Sequence, residues 1–195
     1  ATPFDPALVT KHAIGTGTLT FTDANSASFA FSVNGVNRTK AITRQAFGPL
    51  PTCTFGVQQA LSLATNYQDL WWAAPPGAES GWGINFTHQG NTIFATWFTY
   101  HFDGSPLWLS VTASNTAPGV YAGTLYLTSG PAFDAVPFLP ANVVLTPVGT
   151  ATLTFANGNS ATFAYTITLG TPPVAVTQTK PITRQIFQAP GTVCQ

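Results

Sequence analysis

Residues 151–167 read ATLTFANGNSATFAYTI, and this stretch decides the fold class. In residues 151–155, alanine, leucine and phenylalanine alternate with threonine, which is the period of a β-strand with one buried face. In residues 160–167, apolar side chains again occupy every second position. Between these segments, Asn157-Gly158-Asn159 is a strong turn signal. The stretch therefore predicts an antiparallel hairpin.

The rest of the chain continues this pattern of short strands and tight turns. Strands are predicted at residues 82–88, 92–100, 106–112 and 120–127. Strands at this spacing predict an all-β protein, an antiparallel barrel or sandwich of short meandering strands. Residues 92–100 carry large apolar side chains on both faces, so we expect that strand to be covered on both sides.

Part of the sequence occurs twice. Residues 4–33 align with 138–167 at a constant offset of 134. The segment TKAITRQAF at 39–47 then aligns with TKPITRQIF at 179–187, at an offset of 140. Two aligned segments of 30 and 9 residues indicate an internal duplication.

The duplication is partial, because residues 66–137 have no counterpart upstream. We call 66–137 the front half of the unit and 138–195 its back half. Residues 66–195 are thus predicted to be a complete repeat unit, and residues 1–53 the C-terminal half of another, with extra strands of its own. Residues 54–65 are predicted to be a linker, with a short helix where apolar residues follow helical spacing in 55–64.

Composition argues against several classes of partner. Only 6% of the 195 residues are charged, and the six basic and six acidic side chains cancel. No net field attracts nucleic acid or anionic lipid, and no apolar run approaches the roughly 20 residues of a membrane-spanning helix. We therefore predict no nucleic-acid partner and no membrane span.

The basic residues are segregated, since none lies between positions 54 and 179, whereas that segment contains acids such as Asp69 and Glu79. Arg44 and Arg184 occupy the same position of the repeat. An arginine can bind a carboxylate through two parallel hydrogen bonds. We therefore expect Arg44 and Arg184 to form structural ion pairs, Arg184 with a front-half carboxylate. An anion-binding arginine is the functional alternative.

Each repeat copy ends with a cysteine, Cys53 and Cys194. Two cysteines are too few for a disulfide scaffold, and they match no haem or metal-binding motif. An oxidising compartment would favour a disulfide, either between Cys53 and Cys194 or between chains.

All five tryptophans lie in the front half. Trp97 and Trp108 are interpreted as core residues. Trp71, Trp72 and Trp82 flank the loop AAPPGAESG, and loops of this composition lie at the surface and often carry function. Together with Glu79, these three tryptophans are the predicted site for a carbohydrate or an apolar ligand, because an aromatic face stacks on a sugar ring while polar groups orient it.

Motifs for catalysis and for metal binding are weak. His88 and His101 with Glu79 and Asp103 offer nitrogen and oxygen atoms to a metal, but both histidines precede turns, as solvated strand ends do. GAESG is not the G-x-S-x-G nucleophile motif of hydrolases. We predict no catalytic residue, no metal site and no cofactor.

Several phrases resemble a group of secreted bacterial proteins, mostly of unknown function, that carry this unit in tandem. They are NYQDLWW, ESGWGINFTHQG, IFATWFTYHFDGSPLWL and TKPITRQIF. The resemblance covers nearly the whole chain and implies export from a Gram-negative cell, but it implies no activity. A chain that begins within a unit departs from that tandem pattern and suggests either processing or trimming.

Together these features predict a non-enzymatic extracellular module that binds a carbohydrate, an apolar ligand or a surface, as an adhesion module does. The alternative is a structural or fibre subunit that self-associates through residues 1–53, whose sheet would otherwise leave edges open. A hydrolase or a protease inhibitor is the second alternative.

Overall fold

The computed structural model describes residues 5–56, 61–187 and 189–195, in which the predicted all-β class is confirmed. The chain forms two compact units. The barrel unit contains Gly48–Ser129 and Val144–Gln195 together with the described residues up to Val9. The sheet unit contains Thr10–Phe47 and Gly130–Val143.

The sheet unit holds a three-stranded antiparallel meander of β1 (Gly15–Phe21), β2 (Ser26–Val33) and β3 (Val36–Thr43). Asn34 and Gly35 connect β2 to β3 with φ values of 48° and 83°. Positive φ at both central residues matches the twist of a two-residue hairpin, and Asn-Gly is the pair best suited to it.

The barrel unit contains ten strands among the described residues. They are β4 (Cys53–Thr54), β5 (Asp69–Ala73), β6 (Gly83–Gln89), β7 (Thr92–Tyr100), β8 (Pro106–Ala117), β9 (Val120–Ser129), β10 (Val144–Asn157), β11 (Ser160–Leu169), β12 (Val174–Arg184) and β13 (Val193–Cys194).

Strands β5 to β12 close an antiparallel barrel in the order β10-β11-β12-β5-β6-β7-β8-β9, so the barrel, not the sandwich, is the architecture. The front half and the back half meet at two seams. At one seam β9 pairs with β10. At the other, β12 pairs with β5, with Ile182 opposite Ala73 and Arg184 opposite Trp71. Each half supplies the edges that the other half needs.

Strand alternation fills the barrel with apolar side chains. In β7, Ile93, Ala95 and Trp97 are buried, whereas Phe94 and Phe98 are 39% and 44% exposed. The prediction that residues 92–100 are covered on both sides is therefore wrong. A closed barrel buries one face of every strand, and large apolar side chains on its outer face do not imply a second layer.

The linker differs from its prediction. Its only regular turn among the described residues is a 3-10 turn at Leu61–Leu63, where a helix over 55–64 was expected. Val57 and Ala60, which carried part of the helical spacing, lie outside the described residues. The first linker residue, Thr54, forms a two-residue strand with Cys53, and this strand pairs with β13.

The two copies of the sequence repeat share one strand register. Gly15 faces Val33 across β1 and β2, and their counterparts Gly149 and Ile167 face each other across β10 and β11. Val36 faces Val33 in the next hairpin, as Val176 faces Ile167. Of the six extra residues of the second copy, four extend β11 and β12 by two paired residues each, and two lengthen the connection between these strands.

A disulfide joins Cys53 to Cys194, which is the intramolecular form of the predicted bond. The amide Nε2 of Gln68 lies 3.2 Å from Cys53 Sγ and 3.1 Å from Cys194 Sγ. No helix in the described part of the chain is long and apolar enough to cross a membrane.

Candidate functional site

A cavity of about 560 Å³ opens at one end of the barrel. Three elements of the fold surround it: the loop before β6, the hairpin between β7 and β8, and the facing ends of β11 and β12. The side chains that matter most for its chemistry are Glu79, Trp82, Trp97, Phe102, Tyr165 and Lys180. Its volume is that of a pocket for a small molecule.

Aromatic side chains form the inner wall of the cavity. Trp82 and Trp97 are 6% and 3% exposed, and their rings lie 6.2 Å apart in an edge-to-face arrangement. The Tyr165 ring lies 4.5 Å from that of Trp97. Among the described residues, neither indole Nε1 has a hydrogen-bond acceptor. Both nitrogens are enclosed by protein atoms, so this wall offers the apolar rings of the indoles to a ligand.

An ion pair at the side of the same cavity adds charged groups to this aromatic wall. Lys180 Nζ donates to Glu79 Oε1 and Oε2 at 2.6 and 2.8 Å. Lys180 Nζ also lies 5.8 Å from the centre of the Trp82 ring. With side chains about one-fifth exposed, both charged groups remain accessible to a ligand. Aromatic faces beside a charged pair suit a compact ligand with one apolar face and several hydroxyl groups.

The Tyr165 hydroxyl donates to Gln178 Oε1 beside this ion pair. Burial, with a smaller contribution from the negative charge of Glu79, raises the pKa of Tyr165 to about 12. The phenol therefore stays protonated at neutral pH and fixes the orientation of the Gln178 amide.

Two of the four predicted ligand-binding residues, Glu79 and Trp82, line this cavity. The prediction of an exposed tryptophan surface is wrong for Trp71 and Trp82, which are only 1% and 6% exposed. Trp72 is half-buried. Trp71 and Trp72 are adjacent in a strand and so point to opposite faces of the barrel wall.

Of the two tryptophans interpreted as core, Trp97 is buried and Trp108 is 50% exposed. Trp108 lies between Leu107 and Leu109 in a strand, so the period of two already placed these leucines on the opposite face.

Sequence reasoning missed Lys180 and Tyr165 as cavity residues. The alternation in 160–167 put Tyr165 on the inner face, but nothing in the sequence showed which inner residues would meet at an open end.

Arg184 lies in a buried network at the seam between the two halves. Its side chain is 1% exposed, and Nη1 lies 3.1 Å from Asp69 Oδ2, a front-half carboxylate. The guanidinium also donates to the carbonyl oxygens of Gln68 at 2.8 Å, of Asn66 at 2.7 Å and of Gly158. Burial lowers the pKa of Arg184, and Asp69 opposes that shift. The network joins β12 to the chain entering β5.

Arg44, the counterpart of Arg184, is exposed, and among the described residues no carboxylate pairs with it. Its Nε and Nη2 donate to the carbonyl oxygen of Ala24 at 3.1 and 2.9 Å. Ala24 is the counterpart of Gly158. Arg44 thus keeps the contact that Arg184 makes within its own back half, without the predicted ion pair to any of the described carboxylates.

His88 is buried at the other end of the barrel, with 4% of its surface exposed. Its Nδ1 accepts the backbone N–H of Tyr67 at 3.0 Å, and Nε2 lies 3.0 Å from the carbonyl oxygen of Gly90. A carbonyl oxygen only accepts, so the proton belongs on Nε2 and the ring is neutral. Burial lowers the pKa of His88, and the positive charge of Arg184 lowers it further, against the hydrogen bond to Gly90.

This arrangement predicts a pH-dependent stability. Because the pKa is lower in the folded state than the ordinary 6.5, the unfolded chain binds the proton more readily as the pH falls below that value. The contribution of neutral His88 to the free energy of unfolding is complete above about pH 6.5. Below that pH it declines by up to about 1.4 kcal/mol per pH unit. Urea melts of wild type and His88→Asn at pH 7.5, 6.5 and 5.5 measure it. The variant should lose this slope, and exposed His12→Asn should keep it; an unchanged slope in His88→Asn would contradict the assignment.

Among the described residues, no three His, Cys, Asp or Glu side chains are grouped as metal ligands. The candidate ligand Asp103 accepts hydrogen bonds from the hydroxyl and backbone N–H of Ser105 at 2.6 and 2.9 Å, and these bonds lower its pKa.

Comparisons with protein-family models, curated proteins and solved structures found no match to this chain. The proposal for function therefore rests on the residues of the cavity alone.

Proposed function

We propose that this chain is a non-enzymatic extracellular module whose barrel binds a compact ligand in the cavity at its open end. The ligand is a carbohydrate or an aromatic compound that carries hydroxyl groups. The observation that supports this proposal most is the combination of the aromatic rings of Trp82 and Trp97 with the Glu79–Lys180 ion pair in one cavity.

Each part of the cavity has a role in this proposal. Phe102, 60% exposed, offers a ring at the entrance for stacking on the apolar face of the ligand. The rings of Trp82 and Trp97 contact the ligand, and its hydroxyl groups donate to Glu79. Lys180 holds the Glu79 carboxylate in place through two hydrogen bonds. The intramolecular disulfide suits an oxidising compartment, which supports the proposed location outside the cell or at its surface.

Tryptophan fluorescence tests the proposal with a panel of mono- and disaccharides and of hydroxylated aromatic compounds. A bound ligand should change the emission of the wild type, and Trp82→Phe should reduce that change. Phe102→Ala should weaken binding about tenfold, since one aromatic contact contributes up to about 1.5 kcal/mol.

Trp108→Phe is the matched control, because Trp108 is exposed and does not line the cavity. It should leave both the signal and the affinity unchanged. A response that survives Trp82→Phe and disappears in Trp108→Phe would place the ligand on the outer surface, against the proposal. No response to any compound in the panel would also count against it.

Self-association through residues 1–53 is the second candidate function. It is supported by the exposure of Leu19 and Phe21, at 54% and 71%. Light scattering over a range of concentrations measures it, and a mass that stays monomeric would exclude assembly of this kind.

A further inference from the structure

The sheet of β1, β2 and β3 presents a face that is barrel interior in the other copy of the repeat. Cross-strand partners lie on one side of a sheet, so Leu19, Phe29 and Lys40, which face one another in register, share this side. Leu19 and Phe21 are 54% and 71% exposed, whereas their counterparts Leu153 and Phe155 are 1% and 8% exposed. The same apolar pattern is thus buried in one copy, whereas in the other it is exposed along β1 and partly buried along β2.

Within the sheet unit, segment Gly130–Val143 contacts part of this face. The rings of Phe31 and Phe133 lie 6.1 Å apart, and Lys40 Nζ lies 5.6 Å from the centre of the Phe138 ring. A cleft of about 520 Å³ remains between Phe29, Phe31 and Phe133.

Both edges of the sheet are also without a neighbour among the described residues, because β1 and β3 pair only with β2. Their counterparts β10 and β12 pair with β9 and β5, the last and first strands of the front half. The positions left open are therefore those that a front half fills in the barrel.

The basic residues of this sheet also correspond to residues that contact the front half in the barrel. Arg44 retains its contact to the carbonyl oxygen of Ala24, as Arg184 does to that of Gly158, and it lacks only the partners that the front half gives Arg184. Lys40 is the counterpart of Lys180, which pairs with Glu79 of the front half. The front half carries carboxylates and no basic residue.

We propose that the sheet of β1, β2 and β3 is the receiving half of a second barrel and that its occupant is an antiparallel five-stranded polypeptide of the front-half type, with carboxylates at the positions of Asp69 and Glu79. Residues 66–137 already pair with their own back half at both seams of the barrel, so the occupant is a front half other than this one.

The test supplies a second front half to the full chain. In a fused chain, a copy of residues 66–137 replaces residues 1–3 and runs into Phe4, the counterpart of Phe138. Hydrogen exchange with mass spectrometry compares β1 and β3 in the fused and unfused chains, with β7 and β11 as internal references. We expect the outward amides of β1 and β3 to exchange at least about 100-fold more slowly in the fused chain, which should remain monomeric.

Arg44 gives the specific readout. Arg44→Ala should restore fast exchange of β3 in the fused chain and change nothing in the unfused chain. Lys11→Ala, which removes an exposed basic residue of the same unit that has a leucine as its counterpart, should keep the protection.

Equal exchange of β1 and β3 in the two chains would overturn the proposal, and so would an unfused chain that dimerises with these amides already protected. If the fused chain does not fold, residues 66–137 are refolded as a separate polypeptide with the unfused chain. A 1:1 complex with protected β1 and β3 supports the proposal, and the absence of a complex overturns it.

Discussion

Arg184→Ala should lower the free energy of unfolding by about 3–5 kcal/mol, because it removes one partner of a buried ion pair. The substitution leaves Asp69 without its cation and leaves the carbonyl oxygens of Asn66, Gln68 and Gly158 without a donor. These groups belong to both halves of the barrel, so their loss weakens one of the two seams. Urea melts at neutral pH measure the change.

Arg44→Ala is the matched control in the same chain, since Arg44 occupies the same position of the sequence repeat but is exposed. Its removal should cost less than about 0.5 kcal/mol. Equal losses for Arg44→Ala and Arg184→Ala would show that burial and the front-half contacts do not determine the effect.

Opening the disulfide should have an effect of similar size. Cys53 and Cys194 are 141 residues apart in the sequence, and in the chain-entropy account a loop of this length stabilises the fold by about 4–5 kcal/mol. The double variant Cys53→Ala with Cys194→Ala should lose that amount in urea melts relative to the oxidised wild type.

Reductant separates the crosslink from the side chains. Wild type with the disulfide reduced should unfold at nearly the same urea concentration as the double variant, and the variant should not respond to reductant. If the reduced wild type, with two free thiols confirmed by alkylation, unfolds at the same concentration as the oxidised protein, then the crosslink does not stabilise the fold.

The sequence predicted the strands well where one face is buried and the turn is strong. Residues 151–167 contain both signals, and the hairpin of β10 and β11 follows them. The sequence pattern does not predict strand β5, because this strand has only five residues and adjoins a Pro- and Gly-rich loop. For that reason Trp71 was assigned to the surface, although it lies in the core.

The candidate cavity was predicted only in part, because its wall comes from segments that are far apart in the sequence. Glu79 and Lys180 are 101 residues apart and meet only because β12 pairs with β5 to close the barrel. Local patterns give the face of each strand but not its neighbour in a closed sheet. The difference between Arg44 and Arg184 was likewise invisible, since their local sequences are nearly identical.

The bond between Cys53 and Cys194 also determines how the molecule responds to tension. A pull applied between a residue before β1 and Gln195 is transmitted along the chain to Cys53 and then crosses directly to Cys194. The residues that form the closed barrel lie within the covalent loop and carry no force. Only the stretch that contains β1, β2 and β3 can lengthen, by about 3.5 Å for each residue that unravels. Under such a pull, residues before Cys53 can be extended, whereas the disulfide prevents extension of the barrel.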